Sequence, residues 1–197
     1  MLILLVLVVV VAVGPWRGPF SGAGTVNVTR TLTEPFTETV TVTENAQTGT
    51  SNQLLKYCFS PGGDCGSVVT RWIDRARVSV HVLIYDFTLN KIGDPVMRAK
   101  NRGVDVRMVL EADNAKGSGS EYARLKSSGV QIRLDTNPAL MHDKIAIIDG
   151  LYVIIGSFNW TNAVNSHHND NLVVLRDQTW AQAFEQQFTL IWSQATP

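Results

Sequence analysis

Apolar residues change their spacing several times along the chain, and each spacing predicts an element. Between 67 and 77, Val68, Val69, Trp72, Ile73 and Ala76 recur at helical intervals. The next ten residues, VSVHVLIYDF at 78–87, are largely apolar on both faces and predict a buried strand. A short helix over 92–101 is stopped by Gly103, and a strand follows over 104–110. A helix over 121–128 ends at Gly129 and leads into a strand over 130–134. The stretch MHDKIAIIDGLYVIIGSFNW at 141–160 reads as a hairpin, and NLVVL at 171–175 as a further strand. Trp180, Phe184, Phe188, Ile191 and Trp192 mark a closing helix over 179–193. Strands separated by helices predict an α/β fold, a mixed β-sheet flanked by helices on both faces.

The N-terminal part breaks this pattern. Residues 1–13, MLILLVLVVVVAV, are unbroken apolar sequence. They are shorter than the roughly 20 residues of a membrane span, and they match a signal-peptide core in length. A basic leader before them and a clear A-x-A cleavage site after them are both missing. The segment 25–50 is rich in Thr, Val and Glu with few large apolar residues. It reads as an extended stalk, with an edge strand as the competing reading because Val/Thr alternation favours β structure. The expected organisation is an apolar signal or membrane anchor over 1–17, a Thr-rich stalk or linker over 18–51 and a globular domain over 52–197. The expected location is outside the cytoplasm, exported or associated with a membrane through residues 1–13. A misassigned start or a buried apolar arm is the alternative.

Composition narrows the chemistry. The 197 residues are 45% hydrophobic and 17% charged, with a formal net charge of zero. That balance argues against a strongly electropositive nucleic-acid surface, although Arg71, Arg75, Arg77, Arg98, Lys100, Arg102 and Arg107 make the middle locally basic. The interspersed Asp74, Asp94 and Asp105 favour solvated helix faces there. No His/Cys cluster has zinc-ligand spacing and no glycine-rich loop has the P-loop pattern, so no metal site is expected. Cys58 and Cys65 flank FSPGGD; a disulfide closes that loop in an exported chain, and two thiols remain in a reduced one. Asn27 and Asn159 both match the glycosylation sequon.

The hairpin poses the functional question. Asp149 and Gly150 between two apolar runs predict a two-residue type I′ turn. That turn pairs Ile148 with Leu151, Lys144 with Ile155 and His142 with Ser157. Alternation then gathers His142, Lys144, Ser157 and Asn159 on one face at the open end of the hairpin. Burying such groups unpaired costs about 1–3 kcal/mol each, and more for the charged one. The set suits a phosphate: Lys144 brings charge, Ser157 and Asn159 bring donors, and His142 can act as nucleophile or general acid/base. Asp149 sits at the far end, in the turn, and is expected to be structural.

His142, Lys144, Asp149, Gly156, Ser157 and Asn159 fill every position of HxKxxxxDxxxxxxGSxN. The chain thereby resembles the phospholipase D superfamily over about residues 54–192. It is similar to the small single-motif members, the Nuc-type endonucleases and the cardiolipin hydrolase/Zucchini group. The resemblance implies a phospholipase D-like catalytic domain with one motif over 52–197 and a phosphohistidine mechanism with no metal or other cofactor. It also implies a homodimer with a shared active site, each subunit giving one His142, with Lys144 and Asn159 on the phosphate oxygens and Ser157 assisting. The carboxylate that orients the histidine in the family falls here on Asp170, whose shorter side chain departs from the usual Glu. A nucleic-acid endonuclease is the main expectation; a phospholipase D acting on phospholipid headgroups is the alternative, and an idle phosphate-binding domain the third. His81, alternating with Leu83 and Tyr85, reads as packing, and His167 and His168 as a solvated loop pair. No glycan is expected on Asn159.

Overall fold

The computed structural model describes residues 27–31, 37–41 and 53–197. Strands β1 (Asn27–Thr31) and β2 (Thr37–Thr41) pair antiparallel, Asn27 opposite Thr41. They form a two-stranded sheet in a unit separate from Thr50–Pro197. Part of the expected stalk is therefore strand, as Val/Thr alternation favours. The apolar stretch 1–13 lies outside the described residues. The expected exported or membrane-anchored location is corrected: among the described residues no helix is long and apolar enough to cross a membrane.

In the larger unit the elements run β3 (Gln53–Ser60), α1 (Cys65–Arg75), β4 (Ser79–Ile84), α2 (Asn90–Asn101) and β5 (Asp105–Leu110). Then come α3 (Ala112–Ala115), α4 (Tyr122–Ser127), β6 (Gln131–Leu134), β7 (Lys144–Ile148) and β8 (Tyr152–Gly156). The unit closes with α5 (Asn162–Ser166), β9 (Asp170–Arg176) and α6 (Gln178–Gln194). Seven strands make one mixed sheet in the order β3-β9-β8-β7-β4-β5-β6. Strands β4, β5 and β6 are parallel to one another, and every other pairing is antiparallel. The α/β class with helices on both faces is what forms.

Each face has its own core. On one, Val68, Val69 and Ile73 of α1 and Ile92 and Val96 of α2 meet Val80, Val82, Met108, Ala146 and Ile154. On the other, Ala181 and Phe188 of α6 cover Leu83, Val109, Ile145, Ile147 and Val153. Burial on both sides explains why β4 and β7 carry almost no alternation. Helix α2 contains Pro95, which removes the N–H that would bond the Lys91 carbonyl. The Thr70 hydroxyl of α1 donates to that carbonyl instead, at 2.8 Å. Strand β3 escapes a sequence reading because it is the sheet edge: Leu54, Leu55, Tyr57 and Phe59 are all exposed. Cys58 of β3 and Cys65 of α1 are joined by a disulfide.

The hairpin differs from expectation by one residue. The turn forms, with φ of 55° at Asp149 and 59° at Gly150, and the Leu151 N–H donates to the Ile148 carbonyl at 3.1 Å. The ladder, however, pairs Ile148 with Tyr152 and Ile145 with Ile155. Leu151 drops out of the ladder, and its carbonyl accepts from the Asp177 N–H at the start of α6. A one-residue slip inverts the facing of every later side chain. Ser157 and Asn159 therefore do not share Lys144's face by alternation; they reach the site because the chain leaves the ladder after Gly156.

Candidate active site

Strand directions gather polar residues at one end of the sheet. Strands β3, β4, β5 and β8 end there, while β7 and β9 begin there. Carboxyl ends of strands in open α/β sheets are where ligands bind. At this end lie His142 and Asp143 just before β7, Lys144 in its first position, Ser157 and Asn159 just after β8, and Asp170 at the start of β9. The structure thus assembles the sequence-predicted cluster at a sheet end.

His142 is exposed, and among the described residues its side chain makes no hydrogen bond. Its position is set from the backbone side. The preceding Met141 N–H donates to the buried Glu111 carboxylate at 2.7 Å, and the Asp143 carbonyl accepts from the Tyr85 N–H at 3.0 Å. Lys144 is buried, and its Nζ donates to the His142 carbonyl at 2.7 Å. That ammonium also lies 4.7 Å from the Tyr85 ring centroid, and the same ring meets His142 edge-on at 4.5 Å. Burial pushes the Lys144 ammonium below its usual range, against the opposing pull of Asp143, Asp170 and Asp86. Burial likewise raises the Asp86 and Asp143 carboxyls, with Lys144 pulling both back.

The motif's later members have distinct surroundings. The Ser157 hydroxyl accepts from the Asn171 backbone N–H at 3.1 Å, leaving its own proton free to point outward. Asn159 has a buried Oδ1 with no hydrogen-bond partner in the described structure. The next residue, Trp160, donates its N–H to the Asp86 carbonyl at 3.0 Å, which ties the end of β8 to the end of β4. Gly156 is needed for closeness: a Cβ there would overlap the Asn171 carbonyl and come within 2.7 Å of the Leu172 Cα. Asp170 pairs with Ser60 in the ladder and acts on Lys144 through space; among the described residues no hydrogen bond joins it to His142.

Four other residues weighed in the sequence have settings of their own. Asp149 is at the turn, at the opposite end of the sheet. Its carboxylate accepts from the backbone N–H groups of Arg77, Val78 and Ser79 at 3.0, 2.7 and 3.1 Å. His81 sits in the α6-side core, stacked on Phe188 at 4.6 Å with Nδ1 2.7 Å from Glu185. His167 and His168 are exposed in the loop after α5, where the His168 carbonyl accepts from the Ser60 hydroxyl. Sequence reasoning missed Tyr85, Asp86, Glu111, Asp143 and Asn171. One signal was available for the first two: they follow an apolar strand directly, at its carboxyl end.

Beside His142 opens a cleft of about 670 Å³ between the 135–143 loop and the end of α6. Pro138, Leu140, Met141, Leu190 and Ile191 line it together with Thr136, Asn137, Gln187 and Gln194 and the carboxylates of Asp135 and Asp143, and no lysine or arginine does. Leu140 and Leu190 are half-exposed at its rim. None of the basic residues that the sequence offered as a patch lines it. Three of them carry ion pairs: Arg98 and Arg102 with Asp74 at 2.8 and 4.0 Å, and Arg107 with Asp105 at 2.9 Å.

The chain is similar to known proteins. The sequence profile of the family described as "Cardiolipin synthase, PLD-like domain" matches residues 69–192. The mitochondrial cardiolipin hydrolase of Chlamydomonas reinhardtii is 33% identical over 147 residues, 73% of this chain and 64% of that protein. The phospholipase D of Rickettsia conorii is 31% identical over 136 residues, 69% of this chain and 68% of that one. The crystal structure of Nuc from Salmonella typhimurium, a phospholipase D family member, superposes with a TM-score of 0.70 at 32% identity. It covers 74% of this chain and 97% of that one. The match to the Chlamydomonas protein thus spans a little under two thirds of its length.

Proposed function

Since the chain belongs to the phospholipase D superfamily, we propose that it is a hydrolase of phospholipid phosphodiesters, working through a phosphohistidine on His142. One observation carries the choice of lipid. The cleft that adjoins His142 offers apolar side chains beside neutral amides, a hydroxyl and two carboxylates, but no lysine or arginine. A nucleic-acid strand brings a phosphate at every nucleotide and needs cations along its path. A phospholipid brings one diester, or two in cardiolipin, and its acyl chains are uncharged and apolar. The Chlamydomonas and Rickettsia relatives, a cardiolipin hydrolase and a phospholipase D, point the same way. The endonuclease expectation gives way on that balance and becomes the competing outcome of the test.

In the proposed reaction His142 attacks phosphorus and a histidine–phosphorus bond forms while the bond to the leaving alcohol breaks. Lys144 and the amide of Asn159 take the equatorial oxygens, with the Ser157 hydroxyl as a further donor. The departing alkoxide needs a proton. In a two-fold dimer His142 of the partner subunit supplies it, then removes a proton from water as that water displaces the first histidine. Atoms balance: one water is consumed, and a phosphatidic acid and an alcohol leave.

The test is incubation of the full chain, in EDTA, with phosphatidylcholine vesicles, cardiolipin vesicles, plasmid DNA and RNA, beside a His142→Ala control. Release of phosphatidic acid by the wild type alone is the expected result. Cleaved nucleic acid with intact lipid would replace the lipid reading by the nuclease one. Equal activity of the His142→Ala protein would remove the mechanism.

A further inference from the structure

Lys144 presents a puzzle of placement. It is buried at the sheet end with Asp86, Asp143 and Asp170 all near enough to act on it electrostatically. Yet among the described residues none of these carboxylates forms a salt bridge with it, whereas Lys91, Arg98, Arg107 and Arg124 each find one. Its single hydrogen bond goes to the His142 carbonyl. What faces the ammonium is the Tyr85 ring, at 4.7 Å.

We propose that Tyr85 is a positioning residue for the reaction, its ring holding the Lys144 ammonium and the His142 imidazole ready for a phosphate. The inference rests on the hydrolase reading above. The physical case is one of charge. A carboxylate in direct contact would hold the ammonium firmly, but it would consume donors and place a full negative charge where the phosphate must enter. An aromatic face attracts a cation through its quadrupole, with no net charge and without taking a directed N–H. Two of the three ammonium donors thereby stay free for phosphate oxygens. The same ring meets His142 edge-on, which limits rotation of an imidazole that has no hydrogen bond of its own.

The ring is itself held from both sides of its main chain. The Tyr85 N–H donates to the Asp143 carbonyl at 3.0 Å, and the Asn114 side-chain amide donates to the Tyr85 carbonyl at 2.9 Å. Its hydroxyl makes no hydrogen bond among the described residues. The proposal assigns the work to the ring, and Tyr85→Phe separates it from the phenol.

The experiment compares Tyr85→Phe with Tyr85→Leu and Tyr85→Met, two apolar side chains without a π-face, on bis(p-nitrophenyl) phosphate between pH 6 and 10. The aliphatic variants should lose about tenfold or more in kcat, and Tyr85→Phe should restore it. The alkaline limb should move to lower pH in the aliphatic variants, because the ammonium loses a stabilising neighbour while Asp86, Asp143 and Asp170 stay in place. A purely structural role for Tyr85 leaves that limb where it is. NMR titration of the Lys144 side chain reads the same shift without turnover, so it decides the matter even if the diester is not a substrate. An unchanged Lys144 midpoint in both aliphatic variants, or a loss in Tyr85→Phe equal to theirs, overturns the proposal. Near-ultraviolet circular dichroism selects the folded variants, and either aliphatic one suffices.

Discussion

The two ends of the β7–β8 hairpin both carry motif residues, and they treat polar atoms in opposite ways. At the turn, Asp149 is saturated: one carboxylate takes three backbone N–H groups from the segment entering β4. At the open end, polar groups are left in want. His142 has no side-chain hydrogen bond, Asn159 Oδ1 is buried without a partner, and Lys144 is buried with one bond to a carbonyl. Buried polar groups are ordinarily paired, and leaving them unpaired costs stability. Unpartnered buried atoms also occur at His81 Nε2 and Asp177 Oδ2, so it is their gathering on the motif, beside an exposed imidazole, that marks the open end as the reactive one. A single sequence motif thus contains a structural half and a reactive half.

The sharpest way to break this division is to remove one residue from each half. His142→Ala should cut kcat by about 10⁴-fold, the scale of losing a group that forms or relays the covalent step. Its side chain is exposed, so the urea midpoint should correspond to a stability change within about 0.5 kcal/mol. Asp149→Ala should do the reverse. It leaves three N–H groups without an acceptor and puts alanine at a φ of 55°. A loss of about 2–3 kcal/mol is expected, with kcat per folded molecule kept within about threefold. If Asp149→Ala folds normally but fails to turn over, the two halves are not separate. Asp149→Asn, which keeps an oxygen acceptor and tolerates positive φ, should recover most of the stability.

The sequence exposed much of this because its signals were local. Apolar spacing revealed α1, α2, β4, β5, β7 and α6, and the Asp149-Gly150 pair revealed the turn. The motif residues stood out as polar positions inside an apolar hairpin. What stayed hidden depends on distant chain. The register slip arises because the Leu151 carbonyl is claimed by Asp177, an element boundary far along the sequence. Strand β3 exists through its pairing with β9, and its own exposed residues follow no clean alternation. Tyr85 and Asp86 approach Lys144 only because β4 and β7 are neighbours in the sheet, with Ile84 opposite Lys144. Asp170 was placed by resemblance near the histidine; it begins β9 at the same end of the sheet, where its charge favours the Lys144 ammonium.

The smallest effect tests whether the reactive end destabilises the fold. Lys144 holds a charge in a buried place without a carboxylate against it, so Lys144→Met should make the protein more stable by about 1 kcal/mol at pH 7 while removing activity. The pH dependence supplies the sign. Burial sets the Lys144 ammonium below the ordinary lysine value of 10.5 in the folded chain. Between the folded value and the unfolded one, the unfolded chain binds the proton and the folded chain does not. Stability from this group therefore rises as pH climbs through that window. Urea titrations from pH 7 to 10.5 should show the wild type gaining on the Lys144→Met protein as the pH rises, the gap closing once Lys144 is neutral in the fold. A wild type that is already the more stable of the two at pH 7, or a gap that widens with pH, would mean that the ammonium is fully compensated by its surroundings. The open end of the hairpin would then be as complete as the turn.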